Sequence, residues 1–255
     1  MPTLGVVEQR DAIDFLSEIP SNSIDLIIAD PPYFIGFDGG KGWDSSWKNE
    51  GDYLDWTRLW TAECVRVLRP NRMLIVWGTL KTDTFLRYKL EVLNSMPGMV
   101  GQQEIVWSYN WGGRSKKNFA RKHEYAWCYS KGQEFLFNGD DVRIERKVKN
   151  NIRTGQPHEK GTIPTSVWEV NNHTMSADAV SWHPTTKNVA VLQRMIRAYS
   201  NVGDVVLDPF MGSGSTAIAA IRERRNWLGC ETDEDYLMRA RERISAATLE
   251  PPSAQ

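Results

Sequence analysis

The sequence predicts an α/β fold in which helices cover both faces of a mostly parallel sheet. Short apolar runs that end at turn residues alternate with stretches of helical periodicity along most of the 255 residues. This alternation favours parallel strands joined by helical crossovers. Apolar residues make up 41% of the chain and charged residues 25%, which is the balance of an ordinary globular protein. A chain of this length has room for one large domain that carries an insert.

Apolar runs rich in β-branched or aromatic residues predict the strands, and apolar residues three or four positions apart predict the helices. The predicted strands are Ile24–Ala29, Met73–Trp77, Glu104–Tyr109, Tyr125–Tyr129, Glu134–Phe137, Val205–Leu207 and Trp227–Cys230. The predicted helices are Asp11–Glu18, Tyr53–Leu68, Thr82–Leu93, Asn188–Tyr199, Ser215–Arg224 and Asp233–Ala247. Pro70 and Asn71 predict a turn, and Gly36–Gly51 predicts a glycine-rich loop. Polar, weakly periodic sequence predicts an insert at about 131–180, between two parts of one domain at 1–130 and 181–250.

The tetrapeptide Asp30-Pro31-Pro32-Tyr33 directly follows the first predicted strand. It therefore emerges at the carboxyl end of that strand, where open α/β sheets bind their ligands. The Asp30 carboxylate and the Pro31 carbonyl can each accept one hydrogen of an exocyclic amine, which frees the nitrogen lone pair for reaction. The two prolines stiffen the loop, and Tyr33 offers a flat face for stacking a base. The tetrapeptide indicates a site for chemistry on the amine of a nucleobase, with an Asp-Pro turn that only ends the strand as the alternative.

A second stretch, Asp208–Thr216 (DPFMGSGST), also follows a predicted strand and opens a predicted helix. Gly212 and Gly214 let the backbone turn tightly and approach a ligand, and the helix N-terminus favours a negative group such as a carboxylate. Glu231 ends the next strand, close to the offset at which an acidic side chain commonly binds ribose hydroxyls. The glycine pattern is not the dinucleotide fingerprint, so the sequence argues against NAD.

The net charge of −1 conceals a basic middle segment. Between Arg114 and Lys160 there are twelve Lys or Arg against six Asp or Glu, a balance of +6, so the rest of the chain carries −7. A local basic segment in a nearly neutral protein is typical of a face that binds phosphates, although an ordinary solvated surface explains the charge alone equally well.

Together these stretches resemble the beta class of DNA amino-methyltransferases. The DPPY-type motif comes first, the basic region lies in the middle and the FxGxG-type motif comes last, which is the order of that class. His183–Lys187 resembles the family's HPTxKP element, although Asn188 stands where the family usually has proline. Arg121–Gly132 resembles the region ahead of the family's target-recognition segment.

The resemblance implies a Rossmann-like fold with a catalytic part at 1–130, a target-recognition insert at 131–180 and a cofactor-binding part at 181–250. It implies S-adenosylmethionine as the cofactor and methyl transfer to N6 of adenine in a specific double-stranded DNA site, after the base is flipped from the duplex. The residues expected at the catalytic site are Asp30, Pro31, Pro32 and Tyr33. Those expected at the cofactor are Asp11, Asp30, Thr185, Lys187, Asp208, Phe210, Gly212, Ser213, Gly214, Ser215 and Glu231. Those expected at the DNA are Arg114, Lys116, Lys117, Arg121 and Lys122, and the Gly36–Gly51 loop is expected to close over it.

Several alternatives stay open at this point. N4 of cytosine is a chemically similar target, and the aspartate of the tetrapeptide only favours adenine. RNA or protein-glutamine methylation and a catalytically silent DNA-binding protein are further alternatives, which the motif order and the intact motifs disfavour. Asp11 also suits a helix cap, and Lys187 also suits an ordinary surface position.

The three cysteines, Cys64, Cys128 and Cys230, lie in apolar surroundings and none follows a proline in a catalytic-looking loop. This excludes C5-cytosine methylation, which needs a cysteine nucleophile, and direct methyl transfer needs no metal. Because the first residues lack the features of a signal peptide and no apolar run reaches the ~18–20 residues of a membrane span, we expect a cytoplasmic protein without a membrane partner. The resemblance leaves a homodimer and a companion restriction endonuclease open.

Overall fold

The computed structural model describes residues 3–37, 39–110, 114–145, 159–170 and 180–249. Within these ranges an eight-stranded sheet has the order β1-β8-β7-β2-β3-β5-β4-β6. The strands are β1 (Val6–Gln9), β2 (Ile24–Ala29), β3 (Leu68–Gly78), β4 (Met99–Ser108), β5 (His123–Lys131), β6 (Val167–Glu169), β7 (Val205–Asp208) and β8 (Asn226–Glu231). Only β5 runs antiparallel to its neighbours β3 and β4, whereas the other described pairings are parallel. The predicted mostly parallel sheet is confirmed.

Helices cover both faces of this sheet. They are α1 (Ala12–Ser17), α2 (Glu50–Val67), α3 (Asp83–Arg87), α4 (Val189–Tyr199), α5 (Ser215–Arg222) and α6 (Glu234–Thr248), and a π-helix, Tyr88–Val92, continues α3. One buried apolar cluster joins α4, α5 and α6 to alternate strand residues such as Leu26 and Ile28. A second cluster joins α1, α2 and α3 to the intervening residues, such as Ile27. Successive residues of a strand point to opposite faces, so both faces of the central strands are buried. None of the helices in the described ranges is long and apolar enough to cross a membrane.

Two predicted local features are wrong. The segment Glu134–Phe137 is not a strand, because its backbone bonds outside any ladder: the Leu136 N–H donates to the Asn71 carbonyl. Pro70 and Asn71 lie within β3 instead of in a separate turn. The pairing of β2 with β3 jumps from Ile24–Leu68 to Leu26–Met73. This bulge accommodates the proline and a left-handed Asn71 with φ of 62°.

Two short strands were not predicted. β1 has only four residues and pairs with β8 at one edge of the sheet. β6 has three residues, lies within the segment predicted as an insert and pairs with β4 at the other edge. Strands this short carry too little alternation to stand out in a sequence.

The order of the strands brings acidic residues from distant parts of the chain to one edge. Asp30 follows β2, Asp208 and Glu231 end β7 and β8, and Asp11 comes two residues after β1. Glu124, the second residue of the antiparallel β5, is at the same edge because Tyr125 of β5 is paired with Gly78, the last residue of β3. The candidate site is at this edge.

Candidate active site

A cavity of about 380 Å³ opens at the carboxyl edge of the sheet. It is lined by most of the residues that the sequence selected: Asp11, Asp30, Pro32, Thr185, Lys187, Asp208, Phe210, Gly212, Ser213, Ser215 and Glu231. Its size is that of a pocket for a small molecule. Pro31, Tyr33 and Gly214 are not among the residues that line it.

The Asp30 carboxylate is held between two donors. The Tyr33 hydroxyl donates to Asp30 Oδ1 at 2.7 Å, and Lys187 Nζ donates to Asp30 Oδ2 at 2.6 Å. Lys187 Nζ also lies 3.2 Å from Glu124 Oε2. Since each carboxylate oxygen carries two acceptor sites, Asp30 can still accept a hydrogen from a substrate amine while both contacts persist.

Electrostatics hold the Lys187 ammonium in its charged state. Burial alone would lower the pKa of the Lys187 ammonium, but the charges of Asp30 and Glu124 more than offset it, so the pKa lies above its usual value. Burial raises the pKa of Glu124, although Lys187 opposes the shift. The alternative of a surface position for Lys187 is therefore wrong: its side chain is only 6% exposed. Its nearest partners are the carboxylates of Asp30 and Glu124, and its side chain also lines the cavity.

Aromatic side chains surround this charged cluster. The Tyr33 ring packs edge-on against Phe85 with centroids 4.8 Å apart, and Lys187 Nζ lies 5.4 Å from the centroid of Trp77. Burial, together with the nearby negative charges, raises the pKa of the Tyr33 hydroxyl well above its usual value. Tyr33 therefore stays a neutral donor to Asp30. The neighbouring Pro32 carbonyl accepts a hydrogen bond from Tyr53 of α2 at 2.8 Å, which fixes the tetrapeptide.

The turn after β7 approaches His183 closely at Gly212. Gly212 has a φ of 49°, and a Cβ there would lie 2.8 Å from His183 Nε2, so this position requires glycine. Burial lowers the pKa of His183 to about 4. The imidazole is therefore neutral at pH 7. This favours a structural role for His183 over a role that needs a positive charge. Gly214, with a φ of 80°, begins α5 against Ile244 of α6.

Glu231 organises the far end of the cavity through backbone hydrogen bonds. Its Oε2 accepts from Gly212 N at 2.8 Å, and its Oε1 accepts from Thr232 N and Asp233 N, each at 2.9 Å. Burial raises the pKa of Glu231 in spite of these donors. The side chain thus links the glycine turn to the start of α6 and presents a carboxylate to the cavity.

Asp208 is a buried carboxyl group at the end of β7. Its Oδ1 accepts from Phe210 N at 2.9 Å, and burial raises its pKa from 3.8 to about 7. Near neutral pH the group therefore exists in both protonation states in the isolated protein.

Replacing Asp208 by asparagine should make the protein more stable than the parent above pH 7. An acid whose pKa is raised by folding contributes stability below its unfolded pKa of 3.8, and that contribution is lost as the pH rises through about 7. Asparagine avoids the loss and retains an acceptor for Phe210 N. We expect a difference in unfolding free energy on the order of 2–4 kcal/mol at about pH 9, and none in favour of the variant at about pH 4. Denaturant unfolding across this range is the measurement, and parallel pH profiles for the two proteins would contradict the burial of a charged Asp208.

Aromatic residues form the apolar wall of the cavity. Phe210 packs against Trp60 and Trp56 with centroids 5.1 Å and 5.7 Å apart. Trp47 lies 4.6 Å from Trp56 and comes from the predicted glycine-rich loop. That loop is anchored by the buried Asp44, which accepts hydrogen bonds from the backbone N–H groups of residues 34, 35 and 37. The loop therefore lies along the cavity, and Trp43, Ser46 and Trp47 line it.

The remaining predicted residues occupy defined places. Asp11 both lines the cavity and caps α1, since its Oδ1 accepts from Ile13 N at 2.8 Å. Thr185 N donates to His183 Nδ1 at 3.4 Å. Ser213 and Ser215 lie at the start of α5, where Arg243 Nη1 donates to the Ser213 carbonyl and the Ser215 hydroxyl. Asn188, the departure from the family's proline, caps α4 by accepting from Ala190 N at 2.8 Å.

The basic residues predicted to contact DNA lie on the loop between β4 and β5, apart from the cavity wall. Arg114, Lys116, Lys117 and Arg121 are exposed and Lys122 is half-buried. The later basic positions 146–158 lie outside the described residues. The loop starts and ends at the sheet edge that carries the cavity.

The three cysteines are buried. Burial raises the pKa of Cys128 to about 12 and raises the pKa values of Cys64 and Cys230 still further. None is therefore a thiolate near neutral pH, which agrees with the exclusion of a cysteine nucleophile.

Sequence reasoning missed Glu124, Tyr53 and the tryptophans of the cavity wall. Glu124 lies in the segment Arg121–Gly132, which resembles a region of the family, but its contact with Lys187 depends on β5 running antiparallel. Tyr53 and Trp56 lie one helical turn apart on α2, in a pattern that ordinary core packing also explains.

The sequence matches one protein-family model, described as DNA methylase, over residues 24–242. The chain is 32% identical over 237 residues to the Type II methyltransferase M.HpaI of Haemophilus parainfluenzae, covering 92% of this chain and 73% of that protein. It is 33% identical over 249 residues to the DNA adenine methyltransferase YhdJ of Escherichia coli (strain K12), covering 93% and 82% respectively.

Two solved structures share the fold. The PvuII DNA methyltransferase (cytosine-N4-specific) superposes with a TM-score of 0.74 at 18% identity, covering 99% of this chain and 89% of that one. The M1.HpyAVI–SAM complex superposes with a TM-score of 0.63 at 22% identity, covering 93% and 98%. At these identities the likeness concerns the fold alone.

Proposed function

We propose a function from the premise that this chain belongs to the N6/N4 family of DNA methylases and is a DNA methyltransferase. The proposal is that it transfers a methyl group from S-adenosylmethionine to N6 of adenine in double-stranded DNA. The observation that carries it is the Asp30 carboxylate, fixed at the cavity by Tyr33 and Lys187. The relative YhdJ, named as a DNA adenine methyltransferase, supports adenine as the target.

The donor and acceptor groups of the cavity fit S-adenosylmethionine. Glu231 and Asp11 provide carboxylates for ribose and amino groups, Phe210 and Trp56 provide an apolar wall, and the turn at Gly212 has no room for a side chain. These residues, with Thr185, Asp208, Ser213 and Ser215, would hold the cofactor. When bound, the cofactor supplies a methyl group made electrophilic by its sulfonium.

The protein then has to make the amine nucleophilic. The nitrogen lone pair of adenine N6 is delocalised into the ring, and hydrogen bonds from the amine to the Asp30 carboxylate and the Pro31 carbonyl localise it on the nitrogen. With the cofactor bound, a bond between N6 and the methyl carbon would form as the carbon–sulfur bond breaks, and Asp30 would accept the amine proton that leaves along its hydrogen bond. Lys187 and Tyr33 hold Asp30 in position, so the acceptor is already oriented before the amine arrives.

Access to N6 in this recessed site requires the base to leave the duplex.

The segment 131–180 is proposed as a target-recognition insert, with 1–130 and 181–250 as the catalytic and cofactor-binding parts. Relatives named as Type II methyltransferases support a companion restriction endonuclease. A homodimer stays a proposal.

The proposed function is tested by sequencing modified bases in the DNA of cells that express the chain. We expect N6-methyladenine at one short sequence, absent from cells that express Asp30→Ala. N4-methylcytosine at such a site would replace the adenine proposal by its nearest alternative. DNA without any new modified base would contradict both.

Replacing Glu231 by glutamine should weaken S-adenosylmethionine binding. The amide can still accept from Gly212 N, but it lacks the charge that strengthens hydrogen bonds to ribose hydroxyls. We expect a loss of about tenfold to a hundredfold in affinity, measured by titration calorimetry. The control is Glu234→Gln, which changes an exposed carboxylate at the start of α6. Equal affinity for parent and Glu231→Gln would remove Glu231 from cofactor binding.

The loop between β4 and β5 should supply phosphate contacts. Replacing Lys116, Lys117 and Arg121 by alanine should lower the slope of log affinity against log salt by up to about 3, because fewer counterions are released on binding. The double variant Arg58→Ala/Arg239→Ala is the control, since both side chains are exposed but paired with carboxylates. Unchanged slopes in the triple variant would place the DNA-binding face elsewhere.

A further inference from the structure

The side chain of Phe119 is fully exposed and is the most exposed large apolar side chain in the described part of the chain. The two other strongly exposed aromatic side chains there, Phe37 and Phe137, are 52% and 41% exposed. A single apolar residue on a surface is ordinary. Phe119 is unusual because of its surroundings.

Phe119 lies in the most basic stretch of the described chain. The segment 114–122, RSKKNFARK, has five basic residues and no acidic one. In the described ranges no carboxylate pairs with the exposed Lys116, Lys117 or Arg121. An aromatic ring surrounded by unpaired cations is a poor binding surface for an apolar protein partner. It is a good binding surface for a polyanion that also has flat apolar faces. Duplex DNA combines phosphates with stacked bases.

The loop that carries Phe119 is braced. At its base, Tyr109 N donates to the Lys122 carbonyl and Lys122 Nζ donates to the Asn110 carbonyl, each at 3.0 Å. Near its tip, the Ser115 hydroxyl oxygen accepts from Asn118 N at 2.9 Å. The loop therefore presents the ring from a turn with its own hydrogen bonds, which lowers the entropy cost of using it in a complex.

The loop also leaves the sheet beside the candidate active site. It enters β5 at His123, and the next residue, Glu124, contacts the Lys187 that holds Asp30. Phosphates bound by this loop would therefore belong to the duplex whose base reaches Asp30.

We propose that Phe119 is a wedge that inserts into the DNA base stack next to the target base while that base occupies the pocket at Asp30. This inference rests on the proposed function. When a base leaves the duplex, a gap opens between the two bases that were stacked on it. The lost stacking contact costs free energy in water. An apolar ring that fills the gap restores stacking contact and is buried, as apolar wedges are in other proteins that distort DNA. Phe119 is thus a positioning residue: it stabilises the extruded state of the base and takes no part in the bond changes.

The test compares Phe119→Ala, Phe119→Leu and the parent on two short duplexes built on the site found by sequencing. One duplex is fully paired, and in the other the target adenine lies opposite an abasic position, where the stack is already weakened. We expect Phe119→Ala to lose about tenfold to a hundredfold in kcat/KM on the paired duplex and to come close to the parent on the abasic duplex. Phe119→Leu should retain most of the activity on both. The thermal midpoint should not change, because the side chain is exposed.

Phe137→Ala is the matched control, because it removes an exposed aromatic side chain from an acidic stretch, EFLFNGDD. It should act like the parent on both duplexes. 2-Aminopurine in place of the target adenine supplies a second measurement: its fluorescence should rise on binding the parent and rise less with Phe119→Ala. Equal losses on both duplexes, or no loss on either, would overturn the wedge. An inactive parent on both duplexes, with no rise in fluorescence, would instead overturn the proposed function, and the wedge with it.

Discussion

Replacing Asp30 by alanine should reduce methyl transfer by roughly a thousandfold or more while the protein stays folded. The side chain is the carboxylate that the proposed chemistry uses to accept an amine hydrogen, and positioned proton acceptors contribute on this scale. The fold should survive because Lys187 keeps its second partner, Glu124, at 3.2 Å. DNA binding should also persist, since phosphate contacts supply most of that affinity.

Single-turnover kinetics with saturating cofactor and DNA would measure the effect without a contribution from binding. Asp55→Asn is a suitable control because it removes an exposed carboxylate paired only with Arg58 on the surface, and such pairs contribute little. A folded Asp30→Ala protein that turns over at the rate of the parent would exclude Asp30 from the chemistry.

Replacing Lys187 by methionine should have a large effect on both stability and activity. The lysine is buried between Asp30 and Glu124, so its loss leaves two carboxylates close together without a counter-charge. Removing one partner of a buried ionic cluster costs about 3–5 kcal/mol. We expect a destabilisation of this size at neutral pH, together with loss of most of the methyl transfer, because Asp30 is no longer held in place.

The sign of the pH dependence distinguishes the loss of the ion cluster around Lys187 from a simple packing defect. Without Lys187 the pKa of Glu124, already raised by burial, rises further. An acid with a raised pKa contributes stability at low pH and loses it as the pH rises, so the destabilisation should grow with pH. Adding Glu124→Gln should restore part of the stability, because one of the two charges is gone, but should not restore transfer. A Lys187→Met protein whose stability deficit is the same at every pH would show that the ion cluster does not govern this site.

Much of the fold could be predicted from the sequence, because the apolar residues of its central strands and helices follow clear periodic patterns. The buried strand Ile24–Ala29 was predicted with the bounds found, since its run of mostly apolar residues is soon followed by two prolines. The bulge in β3 was not readable, because a Pro-Asn pair ordinarily marks a turn. The structure places that pair within β3, at the break in its pairing with β2. The segment Glu134–Phe137 has the composition of a strand but forms no ladder, and its Leu136 N–H donates to the Asn71 carbonyl of β3.

The sequence predicted those residues of the candidate site that lie in contiguous motifs. It did not predict contacts between residues that only the fold brings together. Asp30, Gly212 and Glu231 each follow a predicted strand, so their convergence at one edge was expected. The ion pair between Lys187 and Glu124 was not expected, because it depends on the position and direction of β5. The sequence could not decide whether Asp11 caps a helix or lies at the cofactor site. In the structure its carboxylate caps α1 and the residue also lines the cavity.

The most direct measurement is the identity of the modified nucleoside made by the purified protein. Unmethylated DNA would be incubated with the protein and S-adenosylmethionine, digested to nucleosides and analysed by mass spectrometry, with Asp30→Ala treated in parallel. We expect N6-methyladenine from the parent and none above background from the variant. N4-methylcytosine as the product, or N6-methyladenine from both proteins, would exclude methyl transfer to adenine with Asp30 as the acceptor.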